Sequence, residues 1–253
     1  MSEKFQYGQK VEFQGTTLVE FKTSKSYVEY VKTTYHGKML LMDGEIQYST
    51  QDEHRYHSVL LWGAISNSKR KVLILGGGDG LAAKWLYKSN IEGMTVTIVD
   101  WDREFVEFAK RLPESEGALE DPRTTLVHQD ALEYIRNSTD QFDAIIIDLP
   151  DPDGNEGLYT DILGAIHNVC GPHSIVTTHV GPVSLCKEHP GWTFIRKCKD
   201  ELRNLVGTVV YDRIYVPSFS HEWGFLTCYR GHSARLIRPH YEMDTLMIPY
   251  NNV

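Results

Sequence analysis

The sequence predicts an α/β protein in which a mostly parallel, doubly wound sheet follows a small antiparallel β domain. From Lys71 onward, short apolar runs alternate with segments of helical spacing, the pattern of repeated βα units. Before that point, short runs rich in Val, Thr, Phe and Tyr are separated by turn sequences, which is typical of antiparallel strands. A chain of 253 residues is long enough for one large α/β domain with a small addition.

Residues 1–65 are predicted to form the small β domain and a helix that connects it to the rest of the chain. His36-Gly37 and Asp43-Gly44 supply turns, and from Asp52 to about Ile65 the apolar residues take helical spacing. The predicted strands are Lys10 to Lys22, Tyr27 to Thr33, Lys38 to Met42 and Glu45 to Tyr48.

Residues 66–253 are predicted to form the large α/β domain, which closes with an antiparallel strand pair. Gly171-Pro172 is expected to stop the helix that precedes the fifth strand. The predicted strands are Val72 to Leu75, Thr95 to Val99, Thr125 to Val127, Ala144 to Ile147, Ser174 to Thr178, Thr208 to Val216 and Gly224 to Tyr229, and the helices are Leu81 to Tyr87, Arg103 to Arg111, Ala131 to Arg136, Leu158 to Cys170 and Trp192 to Val206.

Composition excludes several classes of protein. A net charge of −8 argues against a general binder of nucleic acid or of anionic membranes. No segment approaches the roughly 18 apolar residues of a membrane span, and the polar start Met1-Ser2-Glu3-Lys4 does not resemble a signal peptide, so the expected location is the cytoplasm. Because the four cysteines lack a CxxC pair and no HExxH occurs, no metal site is predicted.

Acidic residues follow two of the predicted parallel strands. Asp79 lies in the glycine-rich loop after the first strand, and Asp148 and Asp151 follow the fourth. In open α/β sheets, ligands bind beyond the carboxyl ends of the strands, so these side chains are expected in one crevice. Like charges that lie close together are costly unless a cation lies among them. The sequence therefore predicts a cationic ligand, and the number of carboxylates suggests two.

The glycine-rich loop indicates a nucleoside without phosphates. A dinucleotide fingerprint that used Gly76 and Gly78 would require a third glycine where Leu81 stands, and no GxxxxGK[ST] sequence is present. Such a loop still brings backbone N–H groups and a helix N-terminus close to a ligand. These features favour S-adenosylmethionine or a relative of it.

Acidic residues at the ends of the next two strands suit the same ligand. Asp100 ends the second strand, where an acidic side chain holds a pair of ribose hydroxyls. Asp130 and Ala131 end the third strand and are candidates for contact with an adenine.

Asp79 discriminates between two forms of this donor. Its carboxylate attracts the ammonium of S-adenosylmethionine but repels the neighbouring carboxylate, and decarboxylated S-adenosylmethionine carries only the ammonium. The decarboxylated donor therefore fits better. The structural alternative is that Asp79 caps the helix that follows, because aspartate is favoured at that position.

Asp148 and Asp151 suit an acceptor that carries two amines. One carboxylate takes the proton of the attacking nitrogen, and the other pairs with the distant ammonium. A structural alternative is a turn, because Asp151-Pro152-Asp153-Gly154 is favourable turn sequence. A functional alternative is the (Asp/Asn)-Pro-Pro-aromatic motif of amino-methyltransferases, but no aromatic residue follows Pro150.

From about Tyr27 to Tyr229 the chain resembles the spermidine synthases and their relatives, the polyamine aminopropyltransferases. That resemblance implies a seven-stranded, methyltransferase-like Rossmann domain with an N-terminal β domain, and a homodimer. The motifs that carry it are Leu41 to Gln47, Asp52-Glu53 with Tyr56-His57, Gly76 to Gly80, Asp121-Pro122-Arg123, Asp130-Ala131 and Asp148 to Pro152.

The resemblance also implies a role for each matching residue. Asp148 is the expected base, and a gatekeeping loop is expected at residues 152–157. The acceptor is expected on Asp151 and Tyr56, the aminopropyl arm on Gln47 and Asp79 with His57 nearby, the ribose on Asp100, and the adenine on Asp130 and Ala131.

Several positions depart from the family pattern. Val28 replaces a usual Gln, Asp100 a usual Glu, and Phe219 a Tyr that binds the acceptor. Residues 176–184 and 216–225 look more like thermospermine synthases than like putrescine-using enzymes. Trp223 is a candidate for lining the acceptor channel, and the neighbouring His221 and Glu222 are expected to offer contacts to a longer amine.

The resulting hypothesis is an enzyme that transfers an aminopropyl group from decarboxylated S-adenosylmethionine to putrescine or spermidine and releases methylthioadenosine. The alternative is an S-adenosylmethionine-dependent methyltransferase.

Overall fold

The structure is a computed structural model that describes residues 14–152, 154–184 and 189–231. The beginning of the strand predicted from Lys10, Asp153 of the expected gatekeeping loop, and Cys186 lie outside the described residues.

The N-terminal strands form a four-stranded antiparallel sheet in the order β1-β2-β3-β4, as predicted. Asp43 and Gly44 both have positive φ angles, 53° and 83°, which is the geometry of the tight turn expected between the third and fourth strands. The strands are β1 (Gly15–Lys22), β2 (Tyr27–Thr33), β3 (Lys38–Met42) and β4 (Glu45–Ser49).

The second sheet has seven strands in the order β10-β11-β9-β8-β5-β6-β7, and all of them run parallel except β11. This confirms the predicted fold class. Within this sheet the chain first forms the central strand β5 and then adds β6 and β7 on one side of it. It then crosses to the other side of β5, where β8 pairs with β5. The strands are β5 (Lys71–Gly76), β6 (Thr95–Val99), β7 (Thr124–Val127), β8 (Phe142–Asp148), β9 (Cys170–Pro182), β10 (Gly207–Val216) and β11 (His221–Arg230).

The helices agree with the predicted βα alternation, with differences at several ends. They are α1 (Glu53–Leu60), α2 (Trp62–Ser66), α3 (Leu81–Lys88), α4 (Arg103–Ala109), α5 (Ala131–Asn137), α6 (Glu156–Ala165) and α7 (Pro190–Arg203), with short 3-10 turns at Pro113–Ser115, Ile166–Val169 and Pro217–Phe219.

The single helix predicted between Asp52 and Ile65 is two helices that meet at Leu61. The second helix packs tightly on the large sheet, since a Cβ atom at Gly63 would lie 2.8 Å from Cγ2 of Ile175. Helical spacing in a sequence reports the buried face but not such a change of direction.

The helix predicted to run to Cys170 ends earlier, and Cys170 begins β9. Gly171-Pro172 therefore lies inside a strand and does not follow a helix. Because proline has no N–H for the ladder, the pairing of β9 with β8 is irregular there: Cys170 pairs with Phe142, and the regular ladder resumes at Ile175.

The core lies on both faces of the large sheet, as expected for parallel strands covered by helices. Alternate residues of β5 face opposite clusters, with Ile74 in one cluster and Leu73 and Leu75 in the other. Helix α1 packs against β9, β10 and β11. The division of the chain into domains 1–65 and 66–253 stays a prediction.

Candidate functional site

A cavity of about 220 Å³ opens at the point where the strand order reverses, beyond the carboxyl ends of β5 and β8. Gly76, the last residue of β5, pairs in register with Asp148, the last residue of β8. The order of the strands therefore forces the glycine-rich loop and the second acidic cluster together. The residues predicted to bind the donor and the acceptor or to act as base lie on the cavity wall: Gln47, Tyr56, His57, Gly76, Gly78, Asp79, Asp100, Asp130, Ala131, Asp148, Asp151, Phe219 and Trp223. His221 and Glu222, expected to contact a longer amine, do not.

The loop glycines make room for acidic residues as well as for a ligand. Gly76 has a φ of +81°, and a Cβ there would lie 2.0 Å from the backbone oxygen of Asp148. A Cβ at Gly78 would lie 2.4 Å from Oδ2 of Asp100. Side chains at either position would push β8 or Asp100 away from the loop, so the glycines set the spacing of the carboxylates.

Asp79 contacts the start of α3, although the N-cap position itself is Gly80, and it also reaches the cavity wall. Its Oδ1 accepts a 2.9 Å hydrogen bond from the backbone N–H of Leu81 at the start of α3, and its carboxylate lies on the cavity wall. Burial and the charge of Asp148 raise the pKa of Asp79 to about 6, although the neighbouring His57 acts in the opposite direction. The surroundings of Asp79 thus disfavour its negative charge, which a cation bound beside it would stabilise.

Asp148 is held by a tyrosine from a different part of the chain. The hydroxyl of Tyr56, on α1, donates a 2.7 Å hydrogen bond to Oδ1 of Asp148. Burial and the charge of Asp148 raise the pKa of Tyr56 well above its usual value, so the phenol stays protonated at neutral pH and continues to donate. Asp151 lies three residues further along the same wall and is partly buried.

His57 is oriented by a buried ion-pair cluster behind the cavity. Its Nδ1 lies 2.8 Å from the backbone oxygen and 3.0 Å from Oε2 of Glu53, so Nδ1 carries the proton. Lys84 Nζ and Trp85 Nε1 each donate to the same carboxylate across 2.7 Å. Burial alone would raise the pKa of Glu53, but the hydrogen bond and charge of His57 and the charge of Lys84 hold it at about 2. The cluster thus ties α1 to α3.

Two acidic residues of the cavity wall, Asp100 and Asp130, lie just beyond the carboxyl ends of β6 and β7. Asp100 Oδ2 accepts from the N–H of Gly78 across 3.0 Å, and burial raises the pKa of Asp100 above its usual value. Asp130 Oδ1 accepts from the N–H of Glu133 and caps α5. Each carboxylate retains acceptor capacity for a ligand hydroxyl or amine, because an ionised carboxylate has about four lone-pair sites.

Aromatic residues form the opposite half. Phe219 and Trp223 have ring centroids 4.8 Å apart, and Phe219 lies 6.1 Å from Tyr56. The 3-10 turn that carries Phe219 is anchored by Asp52, whose carboxylate accepts from the N–H and the hydroxyl of Ser218 at 2.6 and 2.9 Å. This half adds apolar ring surface to the wall that also carries Asp148.

Sequence reasoning missed His179, which is buried on the cavity wall. It was missed because the predicted fifth strand ended at Thr178, whereas β9 continues to Pro182. The carboxyl ends of adjacent parallel strands meet at one edge of the sheet. Extending the predicted fifth strand by one residue would therefore have brought His179 to the same edge as Asp148.

Val28, which departs from the family pattern, and His221 and Glu222, which were expected to contact a longer amine, all lie outside the cavity wall. Val28 is fully buried in the core cluster and is not part of the cavity wall, so its replacement of glutamine does not change the polarity of that wall. Glu222 pairs with Arg213 at 2.8 Å, and His221 contacts the backbone oxygen of Phe219 at 2.9 Å. Neither His221 nor Glu222 lines the cavity.

Across residues 14–152, 154–184 and 189–231, no group of three or more His, Cys, Asp or Glu side chains is arranged to hold a metal ion. Within the same described residues, no helix has the length and apolar character needed to cross a membrane.

Comparison with known proteins identifies related sequences and folds. A sequence model described as the spermine/spermidine synthase domain matches residues 53–236. A polyamine aminopropyltransferase of Corynebacterium efficiens is 35% identical over 203 residues, which is 76% of this chain and 37% of that protein. One of Saccharolobus solfataricus is 39% identical over 221 residues, which is 83% of this chain and 70% of that protein. The chain thus spans little more than a third of the bacterial relative.

Two solved structures share the fold. A spermidine synthase of Thermotoga maritima matches with a TM-score of 0.75 and 19% identity, over 87% of this chain and 75% of that one. A spermidine synthase in complex with the transition state analogue AdoDATO matches with a TM-score of 0.75 and 20% identity over the same shares. The fold is therefore the Rossmann-like fold of these enzymes with an N-terminal antiparallel sheet.

Proposed function

The chain belongs to the spermine/spermidine synthase family, and from this premise we propose that it is a polyamine aminopropyltransferase. It would transfer the aminopropyl group of decarboxylated S-adenosylmethionine to putrescine or spermidine and release methylthioadenosine. The observation that carries the proposal is the pairing of Gly76 with Asp148, which gathers Asp79, Asp148 and Asp151 in one cavity beside an aromatic wall.

The charges of the two substrates match this arrangement. The donor carries a sulfonium and an ammonium, and the acceptor carries at least two amines. Asp79 and Gln47 would hold the ammonium of the aminopropyl arm, and Asp151 would pair with the distant ammonium of the acceptor. Because a bound cation stabilises the ionised form of Asp79, donor binding would lower the raised pKa of that carboxyl and prepare a negatively charged site.

The nucleoside would occupy the part of the cavity lined by Asp79, Asp100 and Asp130, which we call the donor half. Asp100 would accept from the ribose hydroxyls, and Asp130 with Ala131 would contact the adenine. Asp100 is one methylene shorter than the glutamate usual in the family, and its bond to the N–H of Gly78 draws the glycine loop toward it. That contact supports a ribose position close to the loop.

Transfer requires a free amine on the acceptor. Asp148 would take a proton from the attacking nitrogen, whose lone pair then forms a bond to the aminopropyl carbon attached to sulfur. The carbon–sulfur bond breaks, and its electron pair neutralises the sulfonium to give methylthioadenosine. Tyr56 would hold the Asp148 carboxylate in place, and the wall of Phe219 and Trp223 would orient the acceptor chain.

The methyltransferase alternative fits this cavity less well. Ordinary S-adenosylmethionine would bring its carboxylate against Asp79, and Asp148 would add to the repulsion. Among the described residues that line the cavity, none is a lysine or an arginine that would offset that charge.

We also propose that the enzyme acts in the cytoplasm as a homodimer, in keeping with the family resemblance. Leu18 and Val19 are 45% and 40% exposed on the edge strand β1, which supports contact with a second copy through the N-terminal sheet. Multi-angle light scattering would give about twice the mass of the chain. A monomer at micromolar concentration would contradict this part of the proposal.

The central experiment is a product assay. The purified protein is incubated with decarboxylated or ordinary S-adenosylmethionine and with putrescine, spermidine or spermine, and products are identified by mass. Methylthioadenosine and an amine extended by one aminopropyl unit are expected only with the decarboxylated donor. A methylated product with the ordinary donor would instead support the methyltransferase alternative.

A further inference from the structure

His179 has both ring nitrogens engaged, and the partners define its tautomer. Nε1 of Trp223 lies 3.3 Å from Nδ1 of His179. An indole N–H is only a donor, so Nδ1 accepts and carries no proton. The proton is then on Nε2, which lies 2.8 Å from the backbone oxygen of Leu149 and 2.6 Å from the hydroxyl of Tyr159. The ring is therefore a neutral bridge between two parts of the site.

One end of this bridge is the acidic loop. The Tyr159 hydroxyl lies 3.1 Å from the oxygen of Leu149 and 3.0 Å from that of Pro150, so it and His179 together satisfy the two carbonyls between Asp148 and Asp151. These carbonyls define the path of the backbone that separates the two carboxylates.

The other end is the aromatic wall. The rings of His179 and Trp223 stack with centroids 6.2 Å apart and an interplanar angle of 24°. Trp223 in turn packs on Phe219, and His179 packs on Tyr56 with a centroid distance of 6.1 Å. The backbone also connects these rings, because β11, which carries Trp223, pairs with β9, which carries His179; Phe225 is the residue opposite His179.

We propose that His179 is a positioning residue for the acceptor, which sets the Asp148–Asp151 loop in register with the aromatic wall without itself binding the amine. The inference rests on the proposed aminopropyl transfer. Both ring nitrogens are already used within the protein, so the residue acts through Leu149 and Trp223. The donor half of the cavity, with Asp79 and Asp100, lies outside this network, and its affinity for the nucleoside does not depend on His179.

The test compares three variants. His179→Leu removes both hydrogen bonds, and His179→Gln can replace them with an amide that donates and accepts. Trp223→Phe removes the indole donor to Nδ1 together with part of the ring that packs on His179 and Phe219. For His179→Leu the acceptor KM rises at least tenfold and kcat falls about tenfold. A displacement of a reacting group by about 1 Å can lower the reaction rate by up to 10²-fold. The Kd of methylthioadenosine changes less than twofold. His179→Gln recovers most of the loss, and Trp223→Phe changes the acceptor KM in the same direction by less.

Two results would overturn the proposal. One is an acceptor KM within twofold of the native value in His179→Leu, and the other is an equal loss of methylthioadenosine affinity, which indicates a general structural role. If His179→Leu does not fold, Tyr159→Phe decides by the same two measurements, because Tyr159 is outside the cavity wall and its hydroxyl links Nε2 of His179 to the oxygens of Leu149 and Pro150.

A readout independent of catalysis separates this proposal from the proposed function. In protein labelled with ¹⁵N-histidine, NMR reports which ring nitrogen of His179 is protonated. A proton on Nε2, together with an Nδ1 resonance that shifts when Trp223 is replaced by Phe, supports the network. This readout holds even in a protein without aminopropyl transfer, where spermidine binding by calorimetry replaces the acceptor KM. A proton on Nδ1 would refute it.

Discussion

The phenol of Tyr56 donates a 2.7 Å hydrogen bond to Oδ1 of Asp148, and so joins a helix from the N-terminal half of the chain to the end of a strand in the large sheet. A hydrogen bond to an ionised carboxylate is stronger than one between neutral groups. It leaves Oδ2 and the remaining lone pair of Oδ1 to receive a proton from the acceptor amine. In the proposed transfer, the contact would orient the Asp148 carboxylate toward the attacking amine.

Replacing Asp148 by asparagine keeps the size of the side chain and removes the proton acceptor. We expect kcat to fall by about 10²–10⁴-fold, while the Kd of methylthioadenosine stays close to native. Asp143→Asn is the matched control, because Asp143 lies at the other end of the same strand, where it accepts from the N–H groups of Arg70 and Lys71. Native turnover in Asp148→Asn would show that another group takes the proton.

Tyr56→Phe tests the orientation of Asp148 separately from its basicity. Loss of a hydrogen bond to a charged group costs about 1.5–3 kcal/mol, so kcat is expected to fall at least tenfold, less than in Asp148→Asn. Tyr48→Phe is the control, because its buried hydroxyl has no hydrogen-bond partner among the described residues. Equal activities of the two variants in a steady-state assay would mean that the Tyr56 hydroxyl does not position the base.

Asp79→Asn tests recognition of the donor. The asparagine oxygen can still accept from the N–H of Leu81, so the start of α3 is preserved while the charge is removed. We expect weaker binding of decarboxylated S-adenosylmethionine and tighter binding of the ordinary form, so that the preference between them narrows about tenfold or more. Calorimetry with both donors measures it. Equal affinities in the native protein would favour the methyltransferase alternative.

Asp79 also predicts how stability depends on pH. Its pKa in the folded protein is about 6, above its ordinary value of 3.8, so the folded state disfavours the ionised form. This cost is absent below about pH 3.8, where the group is protonated in both states, grows as the pH rises from 3.8 to about 6, and is constant above that. In the ligand-free protein, Asp79→Asn is therefore expected to stabilise by about 1–3 kcal/mol at pH 8 and by much less at pH 4.5.

Denaturant unfolding at the two pH values, without ligand, checks this expectation. The raised pKa would be contradicted if the difference in free energy of unfolding between Asp79→Asn and the native protein were the same at pH 4.5 and pH 8. Saturating donor should reverse the sign at pH 8, since the native carboxylate gains the ammonium as a partner.

The acidic residues of the site were predictable because their positions depend on local sequence and on one topological rule. Apolar runs mark where β5 and β8 end, and parallel strands place their carboxyl ends on the same edge of the sheet. Asp79 and Asp148 therefore had to meet at the reversal of strand order, whatever the details of packing.

The network around His179 was not predictable in the same way. It depends on the exact length of β9, on the ladder that pairs β9 with β11, and on the side-chain direction of Tyr159 from α6. The break at Leu61 likewise depends on how closely α2 approaches the sheet. These are contacts between segments far apart in the chain, and no local pattern encodes them.

The aromatic half of the cavity carries our expectation about the preferred acceptor. Phe219 lacks the hydroxyl of the tyrosine usual in the family, and with Trp223 it presents apolar surface beside Asp151. Each additional CH₂ removed from water contributes up to about 0.8 kcal/mol, so a longer amine gains more from this wall than putrescine does. Because His221 and Glu222 lie outside the wall, the extra nitrogen of spermidine adds no contact there, and the expectation rests on apolar burial.

We therefore expect spermidine to be used at least as well as putrescine when the two amines compete for the enzyme. Phe219→Tyr should shift the ratio of kcat/KM values toward putrescine, because the added hydroxyl gives a short diamine a polar partner and makes the wall less apolar. Quantification of both products from mixed-substrate reactions measures this ratio. A strong native preference for putrescine that Phe219→Tyr leaves unchanged would show that the aromatic wall does not select the acceptor, and the likeness of residues 216–225 to thermospermine synthases would then carry no functional meaning.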